Sequence, residues 1–163
     1  MQRAFTLIEL VVALSILALL TGVASMSLRG HLNKSKKTRA YETLREMDRL
    51  ARTFAMQNDV QGLTLNIESA TISIKASGAG GKSAQRVRSL PNGVAGVLES
   101  GFSGQRRLST LNGVSFQAKG YSPSYVVRVN FAKDEFWFVA LGRSGQCLLL
   151  EKRGDVEALF DAK

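Results

Sequence analysis

A chain of 163 residues holds one modest domain, and its single cysteine, Cys147, excludes an intrachain disulfide and any multi-cysteine metal site. The formal charge of +9, from 22 basic and 13 acidic residues, permits contact with anionic lipid, acidic proteins or nucleic acid and selects none of them. A mean hydropathy near zero conceals an apolar N-terminus followed by a polar, glycine-containing remainder, so the two parts are read separately.

Leu10 to Leu28 are 19 residues without charge or proline. As a helix rising about 1.5 Å per residue they extend roughly 28 Å, close to a bilayer core of about 30 Å. On residues alone three readings stand: a secretory signal peptide, for which Gly22-Val23-Ala24 offers a small-x-small cleavage site; a plain signal anchor; and a leader followed by an assembly helix. The run is longer than the usual signal-peptide core of about 7 to 15 residues, and Glu9 is an acid where such a peptide is already apolar. A carboxylate in lipid costs about 2.5 to 3.5 kcal/mol, which points to a partner or a task. Near a helix start the dipole lowers that cost. The flanking charges, Arg3 before the run and Arg29, Lys34, Lys36, Lys37 and Arg39 after it, by themselves place the C-terminal part in the cytoplasm.

Arg3-Ala4-Phe5-Thr6-Leu7-Ile8-Glu9-Leu10 resembles the prepilin signature, a small residue followed by Phe-Thr-Leu-Ile-Glu and an apolar stretch. Ala4 stands where that family usually has glycine. The resemblance implies a leader of residues 1–4, cleavage between Ala4 and Phe5 by a prepilin peptidase, N-methylation of Phe5, and a transmembrane and assembly helix over 5–28. It also implies a single pass through inner-membrane lipid with the head in the periplasm, opposite to the charge rule. Cleavage leaves a positive amine at Phe5, and the Glu9 carboxylate lies about one helical turn on. In a bundle of such helices the carboxylate of an incoming subunit pairs with its neighbour's amine, because an unpaired buried charge is costly. Phe5 and Glu9 are therefore the expected assembly residues.

Beyond the run, Ala40, Tyr41, Leu44, Met47, Leu50, Ala51, Phe54 and Ala55 recur at three- and four-residue steps, which predicts an amphipathic stalk helix over 29–58. A β-rich head is expected over 59–163. Leu63 to Ile67 and Thr71 to Lys75 alternate about Glu68-Ser69-Ala70 and predict a hairpin. Further strands are expected at Gln85 to Leu90, Val114 to Gln117, Ser124 to Asn130, Glu135 to Leu141 and Gln146 to Leu150, separated by turn signals at Pro91-Asn92-Gly93, Asn112-Gly113, Lys119-Gly120 and Arg143-Ser144-Gly145. Ser77 to Ser83 and Glu99 to Gln105 read as loops. The fold class is α+β: a long N-terminal helix packed on a mostly antiparallel sheet.

Val114-Ser115-Phe116-Gln117 with Gly120 and Ser122, and the turn Gly142-Arg143-Ser144-Gly145, resemble the H-type pseudopilins of type II secretion and the related FimT-like minor pilins. The function implied is a minor pseudopilin that assembles with other pseudopilins or pilins into a periplasmic pseudopilus, near its tip, and supports protein secretion. Two alternatives are a FimT-like pilus protein that binds DNA and a membrane-anchored periplasmic protein of another kind. For DNA the candidates are Arg106, Arg107 and Arg143, with Arg86 and Arg88 nearby, although no exposed aromatics interleave them in a known module.

No catalytic set, metal site or cofactor is expected. Ala76-Ser77-Gly78-Ala79-Gly80-Gly81-Lys82-Ser83 lacks the first glycine of a phosphate-binding loop and precedes strand rather than helix character. His31 is the only histidine and sits in the basic stalk. Asp134 and Glu135 are adjacent, so in extended backbone they face opposite ways. Asp155, Glu157 and Asp161 read as a solvated acidic tail, Trp137 as sheet core, and Cys147 as a small buried residue.

Overall fold

The computed structural model describes residues 7–57, 60–78, 83–99, 113–131 and 134–161, with side chains described at all of these except 24–29, 60–61, 77–78 and 83–84. Two compact units result, Met1–Lys36 and Lys37–Lys163. The described residues of the first belong to helix α1 (Leu7–Gln57), which has no proline anywhere in its 51 residues to interrupt the hydrogen-bond ladder. Its described apolar side chains, from Leu7 to Val23, are exposed.

In the second unit the remainder of α1 presents Ala40, Leu44, Met47, Ala51 and Ala55, all buried, in steps of three and four that keep one face inward. Eight strands follow: β1 (Val60–Glu68), β2 (Thr71–Gly78), β3 (Ser83–Ser89), β4 (Val94–Glu99), β5 (Gly113–Phe116), β6 (Tyr125–Phe131), β7 (Asp134–Ala140) and β8 (Cys147–Leu150), then helix α2 (Arg153–Asp161). They form two antiparallel four-stranded sheets, β3-β2-β1-β5 and β4-β6-β7-β8, which make up the antiparallel head that the sequence predicts. The sheets meet where Ser69, in the tight β1–β2 turn, bridges Gly96 of β4.

The expected hairpin forms in register, with Leu65 opposite Ile74 and Ile67 opposite Ile72. These side chains, with Leu63, Val127, Val129 and Phe138, pack on the inward face of α1 as the main core. Each such burial contributes about 1.5 to 3 kcal/mol before entropy is counted. The outward positions of β1, Thr64 and Asn66, are polar, which suits a sheet with one solvated face.

Two elements depart from expectation. Residues 94–99 form strand β4, despite a glycine in mid-run, because Gly96 leaves room for Ile67, Leu90 and Val127 at the sheet junction. The acidic tail keeps Asp155, Glu157 and Asp161 exposed, as expected, but is wound into helix α2. Val156 is wholly buried there and packs with Val126, Trp137 and Val139 on the outer face of the second sheet. This explains why β7 is apolar from Phe136 through Ala140: its inner face meets the core and its outer face meets α2.

Candidate functional site

The N-terminal candidates come first in the chain. Glu9 lies in the first described turn of α1, where a carboxylate complements the helix dipole. Around it Leu7, Ile8, Leu10, Val11 and Val12 are all more than half exposed, an apolar surface that a soluble helix does not tolerate alone. Ser15 and Thr21 donate their hydroxyls to the carbonyls of Val11 and Leu17 one turn back, at 2.9 and 2.7 Å. Their polarity is thus met within the helix and makes no demand on apolar surroundings. Ala4 and Phe5 lie outside the described residues. Among the described residues no helix is long and apolar enough to cross a membrane.

The head contains a feature that sequence reading missed, a buried charge pair on α1. Arg52 Nε donates to Asp48 Oδ2 at 2.8 Å and Nη2 to Asp48 Oδ1 at 3.2 Å. The rest of the guanidinium is satisfied across the chain: Nη1 donates to the carbonyls of Gly120 (3.1 Å) and Gly142 (2.8 Å), and Nη2 to Ser122 Oγ at 3.1 Å. Tyr125 donates its hydroxyl to Asp48 Oδ1 at 2.8 Å, and the Cys147 thiol lies 3.9 Å from Oδ2. Phe116 stacks beneath, its ring centre 5.5 Å from the guanidinium carbon. One arginine therefore fastens the end of α1 to the turn Ala118–Gly120 and to the β7–β8 turn. The i, i+4 spacing of Asp48 and Arg52 is visible in sequence; their burial among loops 68 to 90 residues downstream of Arg52 is not.

The environment sets the chemistry of this cluster. Burial, then the Asp48 carboxylate, pushes Tyr125 well above the ordinary tyrosine value and the Cys147 thiol up to about 11. Both stay protonated at neutral pH, so Cys147 is no nucleophile there. The network is a structural fastening. The glycines of the two turns have steric reasons to be there: a Cβ on Gly142 would sit 2.0 Å from the Ser122 carbonyl oxygen, and Gly120 has φ +76°.

The remaining candidates are dispersed. Arg143 is exposed in the β7–β8 turn, whereas Arg106 and Arg107, like the centre of the glycine-rich loop at 79–82, lie outside the described residues. Arg86 and Arg88 stand on the edge strand β3, Arg88 3.8 Å from Glu46, where charge discourages edge-to-edge pairing. His31 is exposed on α1, and Asp134 and Glu135 are exposed at the start of β7. Trp137 is buried, as expected; Cys147 is half-buried. Among the described residues no three metal-binding side chains converge.

A motif-bearing N-terminal helix, continuous with a helix that packs on antiparallel sheet, defines a pilin-like fold. Residues 1–25 match the family described as prokaryotic N-terminal methylation motif. Among solved structures, the chain is similar to the minor pseudopilin EpsH from the type 2 secretion system of Vibrio cholerae, with a TM-score of 0.50 and 11% identity over 69% of this chain and 97% of that one. At that identity the likeness is one of fold. No curated protein sequence matches.

Proposed function

We propose that this chain is a minor pseudopilin, a structural subunit that assembles through its N-terminal helix into a periplasmic pseudopilus serving protein secretion. The observation that carries the reading is the methylation motif matched at residues 1–25 in a chain whose head has a pseudopilin-like fold. In this reading a prepilin peptidase removes residues 1–4 between Ala4 and Phe5, and Phe5 becomes the methylated N-terminus. The uncharged run Leu10 to Leu28 then holds the chain in the inner membrane until assembly, with the head in the periplasm. The exposed apolar side chains from Leu7 to Val23 support both stages, since either lipid or neighbouring helices must cover them. Glu9 sets the register by pairing with a neighbour's Phe5 amine.

Mass spectrometry of the membrane-extracted protein tests this. The expected N-terminus is Phe5, carrying one methyl group; an N-terminus at Ser25 would mean signal-peptide cleavage and end the proposal.

A further inference from the structure

Charge is sorted along α1 rather than mixed. From Leu10 to Tyr41 there is no acidic residue, and the lysines and arginines of that interval, Arg29, Lys34, Lys36, Lys37 and Arg39, all follow directly on the uncharged run. From Glu42 onward acids and bases balance: Glu42, Glu46 and Asp48 against Arg45, Arg49 and Arg52. The positive excess therefore ends where α1 side chains begin to be buried, at Ala40. By the flanking-charge rule this excess opposes carriage of the head across a membrane, so its position needs a reason. The head accounts for one member: Lys37 pairs with Glu151 and stands over the Phe136 ring, 5.7 Å from its centre. Lys34 and Arg39 are exposed, so burial does not account for them.

Height and direction identify the surroundings that do. At about 1.5 Å per residue, Lys36 stands about 12 Å beyond Leu28. The headgroup layer of one leaflet is about 5 to 8 Å thick, and attraction to its charge extends about 8 Å further at physiological salt. With Leu10 to Leu28 in the bilayer core, the segment from Arg29 to Lys36 falls within that layer or its field. Its bases do not line one face: at about 100° per residue, Lys36 is turned about 200° from Lys34. A protein partner reads one face of a helix, whereas a headgroup layer surrounds it. Leu32, 52% exposed between His31 and Lys34, is out of place in water. It suits the boundary between acyl chains and headgroups, where basic side chains lay their stems on apolar surroundings and extend their charges outward.

We infer that Arg29, Lys34, Lys36 and Arg39 form a collar that binds anionic phospholipid headgroups, in the leaflet on the C-terminal side of the uncharged run. The inference rests on the membrane-anchored reading of Leu10 to Leu28 above and names the lipid class that this anchor takes. A base near an anionic surface is worth about a fivefold preference. The collar thus holds the chain at anionic lipid and makes its departure from the membrane sensitive to salt.

Photo-crosslinking of the full-length protein in nanodiscs of equal parts phosphatidylcholine and phosphatidylglycerol tests it. Benzoylphenylalanine replaces Asn33 or, as the reference inside the run, Leu17. From Asn33 the linked lipid should be phosphatidylglycerol by about fivefold at low salt. The ratio should approach parity at about 1 M salt, and also in the combined variant Arg29→Gln, Lys34→Gln, Lys36→Gln, Arg39→Gln. Arg45→Gln with Arg49→Gln, which removes two bases beyond Ala40, should leave it unchanged. Trp137 fluorescence on heating checks folding of each variant, and the salt series on the unsubstituted collar decides the matter where a variant melts early. Equal labelling from Asn33, a preference indifferent to salt or to the four substitutions, an equal loss on removing Arg45 and Arg49, or linkage from Asn33 to a second protein chain in place of lipid overturns the inference. Lipid linked from Leu17 alongside any of these results overturns the collar alone, whereas no lipid linked from Leu17 overturns the membrane anchor with it.

Discussion

Arg52 and Asp48, one helical turn apart on α1, form a two-point ion pair that is buried with 9% and 2% of their surfaces left exposed. The pair is tolerated because every edge is used: the carboxylate also accepts from Tyr125, and the guanidinium also donates to Gly120, Gly142 and Ser122. Asp48→Ala leaves the arginine charge buried without its partner. It should destabilise the head by about 3 to 5 kcal/mol, read as a shift in the urea midpoint of Trp137 fluorescence. A loss below about 1 kcal/mol would show that water already reaches the pair. Arg52→Lys should not rescue function, since an ammonium cannot reproduce the forked geometry.

Gly142→Ala should be costly for a different reason. The added methyl would meet the Ser122 carbonyl at 2.0 Å, which is backbone on a segment fastened by Arg52 and cannot swing away. A loss of about 2 kcal/mol or more is expected from overpacking. Gly154→Ala is the control: nothing lies within 4 Å of its added carbon, and in α2 it should gain up to about 1 kcal/mol in helix propensity. Thermal melts of the two variants should move in opposite directions.

High pH should unfold the head. Cys147 titrates near 11 in the folded protein against an ordinary value of 9, and Tyr125 is likewise raised. Between these values the unfolded chain has lost a proton that the folded chain retains. The stability from keeping each group neutral is thus complete below pH 9 and falls as pH rises. Denaturation midpoints should hold from pH 7 to 9 and then drop. Alkylation of Cys147 in the folded protein should remain slow until pH approaches 11.

Val156 is the point by which α2 grips the second sheet. Val156→Asp puts an unpaired charge against Trp137 and Val139, so α2 should detach. Trp137 emission should shift to the red while the core on the other face of the sheet survives. Emission unchanged from wild type would mean that α2 does not cover the tryptophan in solution.

Glu9→Ala should separate assembly from folding. The head melt is expected to match wild type, because Glu9 lies in the Met1–Lys36 unit and contributes nothing to the core of the other. Recovery of the chain in sheared filament fractions should fall on the order of tenfold, the effect of about 1.4 kcal/mol per contact. Equal recovery would remove Glu9 from the assembly role.

Much of this protein is written locally. The leader motif occupies consecutive positions from Arg3 to Leu10, and the inward face of α1 is a period that Leu44, Met47, Ala51 and Ala55 display without any knowledge of their partners. The hairpin of β1 and β2 is equally legible, since alternation and a two-residue turn specify its register. Strand β4 and helix α2 were hidden because each depends on a distant surface: Gly96 on the junction of two sheets, and Val156 on the outer face of β7. The apolar run Phe136 to Ala140 held the one clue to α2, for a strand apolar on both faces needs a cover on each.

Sequence alone thus determined the N-terminal helix, its motif and the α+β class, because these rest on adjacent residues and on periods of 3.6 and 2. Tertiary structure alone decided what the arginines mean. Arg52 became a buried fastening and Arg143 an exposed side chain on the turn that it fastens, although in sequence both are basic residues of a chain carrying +9. The energy of a charge is set by the water and partners around it, and apart from Asp48 those of Arg52 come from residues 68 to 90 positions away.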